Sequence, residues 1–255
     1  MNEPSAVSTM LPGGALLQTF VCSFVIYSLS SPQTSIKLTD HIRKLAVKQL
    51  TFKALMSTEL TSLRKSLPLL VPTPDAWAAL AIEQTAVFLQ DHASCERKAH
   101  AGAMMLANKY FDFPELQDRM VSLAIEELRH FQQVMMLLRK RNIPVAPDTP
   151  NLYVNAFFPH LRNPRQDHLL DRLLIAAVVE ARSCERFCLF AESLPQGDLK
   201  DFYTNFAFEE GAHFPLFVDT ARLIFPHDAV KERIDFFIEV DAATMPKLPL
   251  RPTVH

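Results

Sequence analysis

Two short stretches of this sequence place a carboxylate and an imidazole three residues apart. One is Glu127-Leu-Arg-His130, within Leu123-Ala-Ile-Glu-Glu-Leu-Arg-His-Phe131; the other is Glu210-Gly-Ala-His213, within Phe208-Glu-Glu-Gly-Ala-His-Phe214. Both read Glu-Glu-x-x-His-Phe. Residues three apart share one face of a helix, so each copy aims its two groups at one point. The neighbours indicate where that point lies. Leu116, Met120, Leu123, Val134 and Leu137 recur every three or four residues, and Glu127 and His130 occupy two steps of that ladder. Around the second copy the ladder is Leu199, Tyr203, Phe206, Glu210, His213, Phe217 and Ala221. Both pairs therefore face the core, where an unpaired carboxylate is costly. A single Glu-x-x-His is frequent by chance; two on core stripes call for a cation between them.

The elements that must position these groups are helical. The chain has 255 residues and only five glycines, with long periodic runs and no Gly-rich phosphate loop, which favours an all-α fold. Thr73-Pro-Asp75 reads as a capped start, with Thr73 as the cap, for a helix to about Tyr110. A second helix runs from Pro114 to Arg141 and is stopped by Asn142 and Pro144. Residues 143–165 carry five prolines and form a long crossover, with a short helix near Tyr153 to Phe158. A third helix, Arg165 to Leu194, leads through the capped turn Pro195-Gln-Gly-Asp198 into a fourth, Asp198 to Ile224. A fifth follows Pro226 and ends near Thr244; the proline-rich tail from Pro246 is expected to be irregular. Helical hairpin, long crossover, helical hairpin is the topology of a ferritin-like four-helix bundle, here with flanking helices. The expected organisation is one domain over 36–250 with its bundle over 75–225.

The remaining sequence says less about chemistry. Residues 1–35 are expected to be a poorly ordered extension. Their apolar run, Ala15 to Leu29, is short for a membrane span, and no Lys or Arg precedes it as in a secretory signal. Residues 36–67 read as a basic helix, including Lys37, Arg43, Lys44, Lys48, Lys53, Arg64 and Lys65, and most simply as a solvated face. A net charge of −2 neither argues for nucleic acid nor against it. Cys22, Cys95, Cys184 and Cys188 form no CxxC pair and read as reduced thiols of a cytoplasmic protein.

A carboxylate-bridged metal pair needs ligands from the other two helices, one Glu each. Register supplies them. Glu127 lies about 15 residues after the first hairpin turn and Glu96 about 16 before it; Glu210 lies about 14 after the second and Glu180 about 16 before it. Glu180 also falls on the stripe Leu169, Leu173, Ala176, Ser183, Phe187 and Phe190. A competing alignment exists, because Ser94-Cys-Glu-Arg97 recurs as Ser183-Cys-Glu-Arg186 and equates Glu96 with Glu185. Register and stripe select Glu96, Glu127, His130, Glu180, Glu210 and His213. Four carboxylates and two imidazoles balance two divalent cations, and mixed oxygen and nitrogen ligation without thiolate suits iron or manganese.

Asp91-His-Ala-Ser-Cys-Glu-Arg-Lys-Ala99, Glu126-Glu-Leu-Arg-His-Phe131, Glu180-Ala-Arg-Ser-Cys-Glu-Arg-Phe187 and Phe208-Glu-Glu-Gly-Ala-His-Phe214 resemble the tRNA hydroxylases of the MiaE type, over about residues 70 to 250. The resemblance implies a non-haem di-iron monooxygenase. Its substrate would be 2-methylthio-N6-isopentenyladenosine beside a tRNA anticodon, hydroxylated with O₂ and two electrons. With no flavin or nicotinamide fingerprint in the chain, a separate reductase would supply the electrons. Arg139, Lys140, Arg141, Arg162 and Arg165 are candidate RNA contacts, and Tyr153, Phe157 and Phe158 candidate stacking faces. The same residues also read as surface charge and loop packing. The prenyl group would lie near Phe131, Phe187 and Phe214. Competing expectations are an iron store, a peroxide scavenger or a manganese catalase on the same fold, and a metal-free RNA-binding scaffold.

Overall fold

The computed structural model describes residues 56–255; the extension 1–35 and most of the basic stretch expected over 36–67 lie outside the described residues. Residues 56–66 are helical (α1). They are followed by α2 (Asp75–Glu83), α3 (Thr85–Lys109), α4 (Pro114–Lys140), α5 (Leu152–Phe157), α6 (Arg165–Ser193), α7 (Asp198–Glu210), α8 (His213–Ile224) and α9 (His227–Thr244). The described residues contain no strand. Helices α3 and α4 form one antiparallel hairpin; α6 with α7 and α8 forms the second, and α9 packs on α6. The fold is all-α, with the crossover expected between Arg141 and Arg165.

Two expected helices are interrupted. The first breaks at Gln84. The fourth breaks between Glu210 and His213, inside the second Glu-x-x-His, where the Ala212 N–H donates to Glu209 O, three residues back, at 3.3 Å. Gly211 is the poorest helix former in that stretch. It also admits a close neighbour, since a Cβ there would stand 3.0 Å from Leu63 Cδ1 of α1. Helix α4 ends as its sequence suggests. Asn142 takes a left-handed φ of 55°, and the Ile143 N–H donates to Leu138 O at 2.9 Å, closing the terminus.

Thr73 does not cap α2. The N-cap is Pro74, and Thr73 instead donates its N–H and hydroxyl to Glu185, at 2.7 and 2.6 Å. Glu185 belongs to a buried charge network. Arg182 contacts Glu185 at 2.7 Å and Asp241 at 2.5 Å, and Asp241 accepts from the Tyr153 hydroxyl at 2.7 Å. Burial opposes the Arg182 charge, but Asp241 and Glu185 outweigh it and hold the guanidinium above its usual pKa. Nor does Asp198 cap α7 through its side chain; its carboxylate takes Lys140 and Arg141.

The tail from Pro246 is irregular beyond one short turn, as its prolines suggest, but it does not trail away. After a 3-10 turn at Met245–Lys247 it returns to the bundle and buries Thr253 and Val254. Trp77 Nε1 donates to Thr253 O at 3.0 Å, Arg186 donates to Thr253 O and Val254 O, and the Val254 N–H donates to Asp91 at 2.7 Å. These contacts satisfy backbone groups that burial would otherwise leave unpaired.

Candidate metal centre

The six selected side chains converge from α3, α4, α6 and the α7–α8 pair, near the middle of the bundle. They form two overlapping groups: Glu96, Glu127, His130 and Glu210, and Glu127, Glu180, Glu210 and His213. Within each group the potential ligand atoms lie within 4.8 Å of one another. Glu127 and Glu210, the carboxylates of the two repeated motifs, belong to both. Glu96 with His130 is confined to one group, and Glu180 with His213 to the other. The arrangement is that of two adjacent cation positions sharing two carboxylates.

Both imidazoles turn Nδ1 inward. His130 Nδ1 lies 2.8 Å from Glu210 and 3.7 Å from both Glu96 and Glu127. His213 Nδ1 lies 2.9 Å from Glu210, 3.2 Å from Glu127 and 3.7 Å from Glu180. Despite these distances, Glu127 Oε1, Glu210 Oε1 and both Nδ1 atoms are buried without a hydrogen-bond partner. Buried polar atoms normally have one. Four convergent carboxylates, the two shared ones with orphaned oxygens, and two inward nitrogens fit a pair of divalent ions.

The electrostatics agree. Burial pushes the Glu96 carboxyl well above its usual value, and the charges of Glu210 and Glu127 push it further. Burial raises Glu180 to about 7, with His213 holding it down. The imidazoles move the other way. Burial opposes charge on His130, but contacts with Glu127 and Glu210 outweigh it and raise its pKa to about 10. His213 is likewise raised, mainly by Glu210, against its own burial. Glu210, although buried, is held low by His213 and His130. Protons on the imidazoles thus offset the negative charge that metal cations would offset.

Three further residues complete the cluster and were not singled out from the sequence. His130 Nε2 lies 3.2 Å from Glu209, and His213 Nε2 lies 3.7 Å from Glu126. Each motif's first Glu therefore faces the outer nitrogen of the other motif's histidine, Glu209 within hydrogen-bond reach and Glu126 beyond it. Such carboxylate partners fix a ligating ring's tautomer and orientation. The doubled Glu of each motif was the available signal. The third residue is His92, whose Nε2 lies 2.9 Å from Glu96 and whose Nδ1 meets the Tyr203 hydroxyl at 2.8 Å. Burial lowers its pKa to about 3, so it is neutral. It stands one turn before Glu96 on the same stripe. Glu126→Gln and Glu209→Gln are each expected to weaken metal binding by roughly 10–100-fold while leaving the stoichiometry reachable at high metal. Metal titration followed by absorbance reads this, and unchanged affinity in both variants contradicts the backing role.

The Glu185 side chain is engaged with Thr73 and Arg182 and does not join either group. Of the proposed RNA contacts, Lys140 and Arg141 pair with Asp198 at 3.0 and 3.1 Å. Arg162 pairs with Asp167 and Asp171 at 2.9 and 2.7 Å, and Arg165 pairs with Asp112. Arg139 is exposed. Tyr153 and Phe157 are core residues, leaving Phe158, 43% exposed, as the available aromatic face.

A cavity of about 210 Å³ reaches the cluster. Glu96, Glu127, Glu180 and Glu210 line it, together with Leu106, Leu123, Ile175, Val179 and Phe217. Phe131, Phe187 and Phe214 are not among its walls. Phe187 packs instead against the His92 ring, 4.6 Å away between centroids. Sequence periodicity places all three near the ligands but does not say which side of the cluster is open.

A helical bundle with one long crossover, whose core carries two Glu-x-x-His pairs and a Glu from each other helix, defines the ferritin-like di-metal carboxylate proteins. A solved relative agrees: Protein 43 with aldehyde deformylating oxygenase activity from Synechococcus aligns with TM-score 0.70 and 30% identity, over 73% of this chain and 94% of that one. The family model for tRNA-(MS[2]IO[6]A)-hydroxylase (MiaE) matches residues 60–255, and the chain belongs to this family. Two relatives are each named tRNA 2-(methylsulfanyl)-N(6)-isopentenyladenosine(37) hydroxylase. The protein from Pseudomonas putida is 36% identical over 143 residues, covering 56% of this chain and 69% of its own. The protein from Salmonella typhimurium is 30% identical over 220 residues, covering 67% and 81%. Among the described residues, no helix is long and apolar enough to cross a membrane.

Proposed function

We propose that this chain is a non-haem di-iron monooxygenase that hydroxylates the isopentenyl group of 2-methylthio-N6-isopentenyladenosine in tRNA. The observation that carries the reading is an apolar cavity with four clustered carboxylates in its wall, in a chain that belongs to the MiaE family. In this reading Glu96, Glu127, His130, Glu180, Glu210 and His213 hold two irons. Bound there, the irons supply the O₂ activation that side-chain acid–base chemistry lacks.

The protein's own residues do the rest. Glu209 holds Nδ1 of His130 inward through its contact with Nε2, and the charge of Glu126 faces Nε2 of His213. Leu106, Leu123, Ile175, Val179 and Phe217 receive the prenyl group and exclude water from the reacting carbon. An unpaired loop nucleotide is the form in which a base can enter such a pocket. Electrons come from a separate reductase, and the enzyme works in the cytoplasm, a reading that a tRNA substrate supports. Deleting the gene from cells that make the prenylated nucleoside is expected to remove its hydroxylated form from tRNA digests and accumulate the precursor. Mass spectrometry of the nucleosides reads both, and an unchanged hydroxylated pool contradicts the assignment.

A further inference from the structure

The last turn of α3 and the first turns of α6 frame a groove of about 300 Å³, lined by Lys109, Tyr110, Phe158, His168 and Arg172 among others. Phe158 and Arg172 also line the cavity above the carboxylates, so the two spaces share a wall. The groove is rich in unanswered donors. Arg172 is half-buried, and its recorded contact is the Phe158 ring, 6.0 Å from its guanidinium carbon. Lys109 stands 5.4 Å over the Tyr110 ring. Neither cation has a carboxylate partner among the described residues, and the Tyr110 hydroxyl and His168 Nδ1 have no hydrogen-bond partner. The acids nearby are already neutralised: Asp171 by Arg162 and Arg233, and Asp112 by Arg165. Burial holds Arg172 below the usual guanidinium pKa, and burial followed by Lys109 and Arg172 lowers His168.

A half-buried guanidinium without an acid is costly unless a ligand supplies the anion. We propose that this groove binds a phosphate of the substrate RNA, the phosphodiester beside the nucleotide whose base enters the adjoining cavity. Arg172 presents a planar fork to phosphate oxygens, Lys109 adds a point charge, and the exposed face of Phe158 offers a stacking surface at the junction. The inference rests on the tRNA reading above. It moves the RNA contact away from Arg139, Lys140 and Arg141, which lie at the opposite end of α4 from this groove.

The test uses the full-length, metal-loaded protein and an anticodon stem-loop carrying the prenylated nucleoside, with binding read by fluorescence anisotropy. Arg172→Ala with Lys109→Ala is expected to weaken binding by roughly tenfold or more, the lower end for loss of charged hydrogen bonds. The slope of log affinity against log salt should fall by about one to two. Lys109→Ala alone, at an exposed position, should lower that slope without endangering the fold, and Arg172→Lys should fall between wild type and alanine. The turnover preference for stem-loop over free nucleoside should drop with binding. Wild-type affinity and salt slope in the double variant would overturn the proposal. So would displacement of the stem-loop by inorganic phosphate at concentrations matching the RNA, which assigns the groove to a free phosphate compound. If the stem-loop binds through these two cations and no nucleoside gains oxygen, the groove stands and the hydroxylase reading falls. If nucleosides are oxidised and binding ignores both substitutions, the reverse holds.

Discussion

Glu127→Ala is expected to remove both metals at once. Its carboxylate belongs to both ligand groups, as does that of Glu210, whereas Glu96 and Glu180 each belong to one. The four single alanine variants should therefore fall into two classes. Glu127→Ala and Glu210→Ala should load almost no iron, and their turnover should disappear. Glu96→Ala and Glu180→Ala should each retain about one ion per chain, because all four ligands of the other position remain intact, whereas loss of Glu127 or Glu210 leaves three at each position. Iron per chain after anaerobic loading, measured by elemental analysis, separates the classes. Equal losses in all four variants contradict the shared-carboxylate geometry.

Glu185→Ala should behave in the opposite way to Glu180→Ala. Glu185 accepts from Thr73 N, Thr73 Oγ1 and Arg182, all buried. Its removal leaves the fully buried Arg182 with Asp241 as its one acidic partner among the described residues and strands two donors of Thr73. Breaking a buried charge pair from one side costs about 3–5 kcal/mol. The variant should unfold at markedly lower urea, yet its folded fraction should still bind metal. Glu180→Ala should keep its urea midpoint and lose about one metal ion per chain. Loss of metal in Glu185→Ala, with Glu180→Ala fully loaded, would show that the repeated Ser-Cys-Glu-Arg marks the ligand.

The parts of this fold that follow from local periodicity were legible in the sequence. The apolar ladders around Glu127 and Glu210 announce buried helix faces, and the five prolines between Arg141 and Arg165 announce the crossover. Equal spacing from each turn was enough to bring Glu96 and Glu180 level with the Glu-x-x-His pairs. Contacts between distant segments left no such trace. Thr73 looked like a helix cap because Thr-Pro-Asp is a common cap sequence, and its bond to Glu185, 112 residues away, has no periodic signature. The tail looked irregular because proline forbids regular structure there, but irregular backbone can still be buried when Trp77, Arg186 and Asp91 satisfy it. The basic cluster Arg139-Lys140-Arg141 stood out as consecutive charges. Arg172 did not, because a lone arginine on an apolar helix acquires meaning only beside Phe158 and the cavity. Glu126 and Glu209 were written in the doubled Glu of each motif, yet only the antiparallel packing shows that each faces the other motif's histidine.

The most direct test is a single-turnover assay. Iron-loaded, chemically reduced protein is mixed with O₂ and tRNA carrying 2-methylthio-N6-isopentenyladenosine, and the digested nucleosides are weighed. The account predicts that the prenylated nucleoside gains one oxygen atom, that ¹⁸O₂ supplies it, and that Glu127→Ala yields none. A nucleoside of unchanged mass, from protein shown to hold two reduced irons and to bind the tRNA, would contradict it.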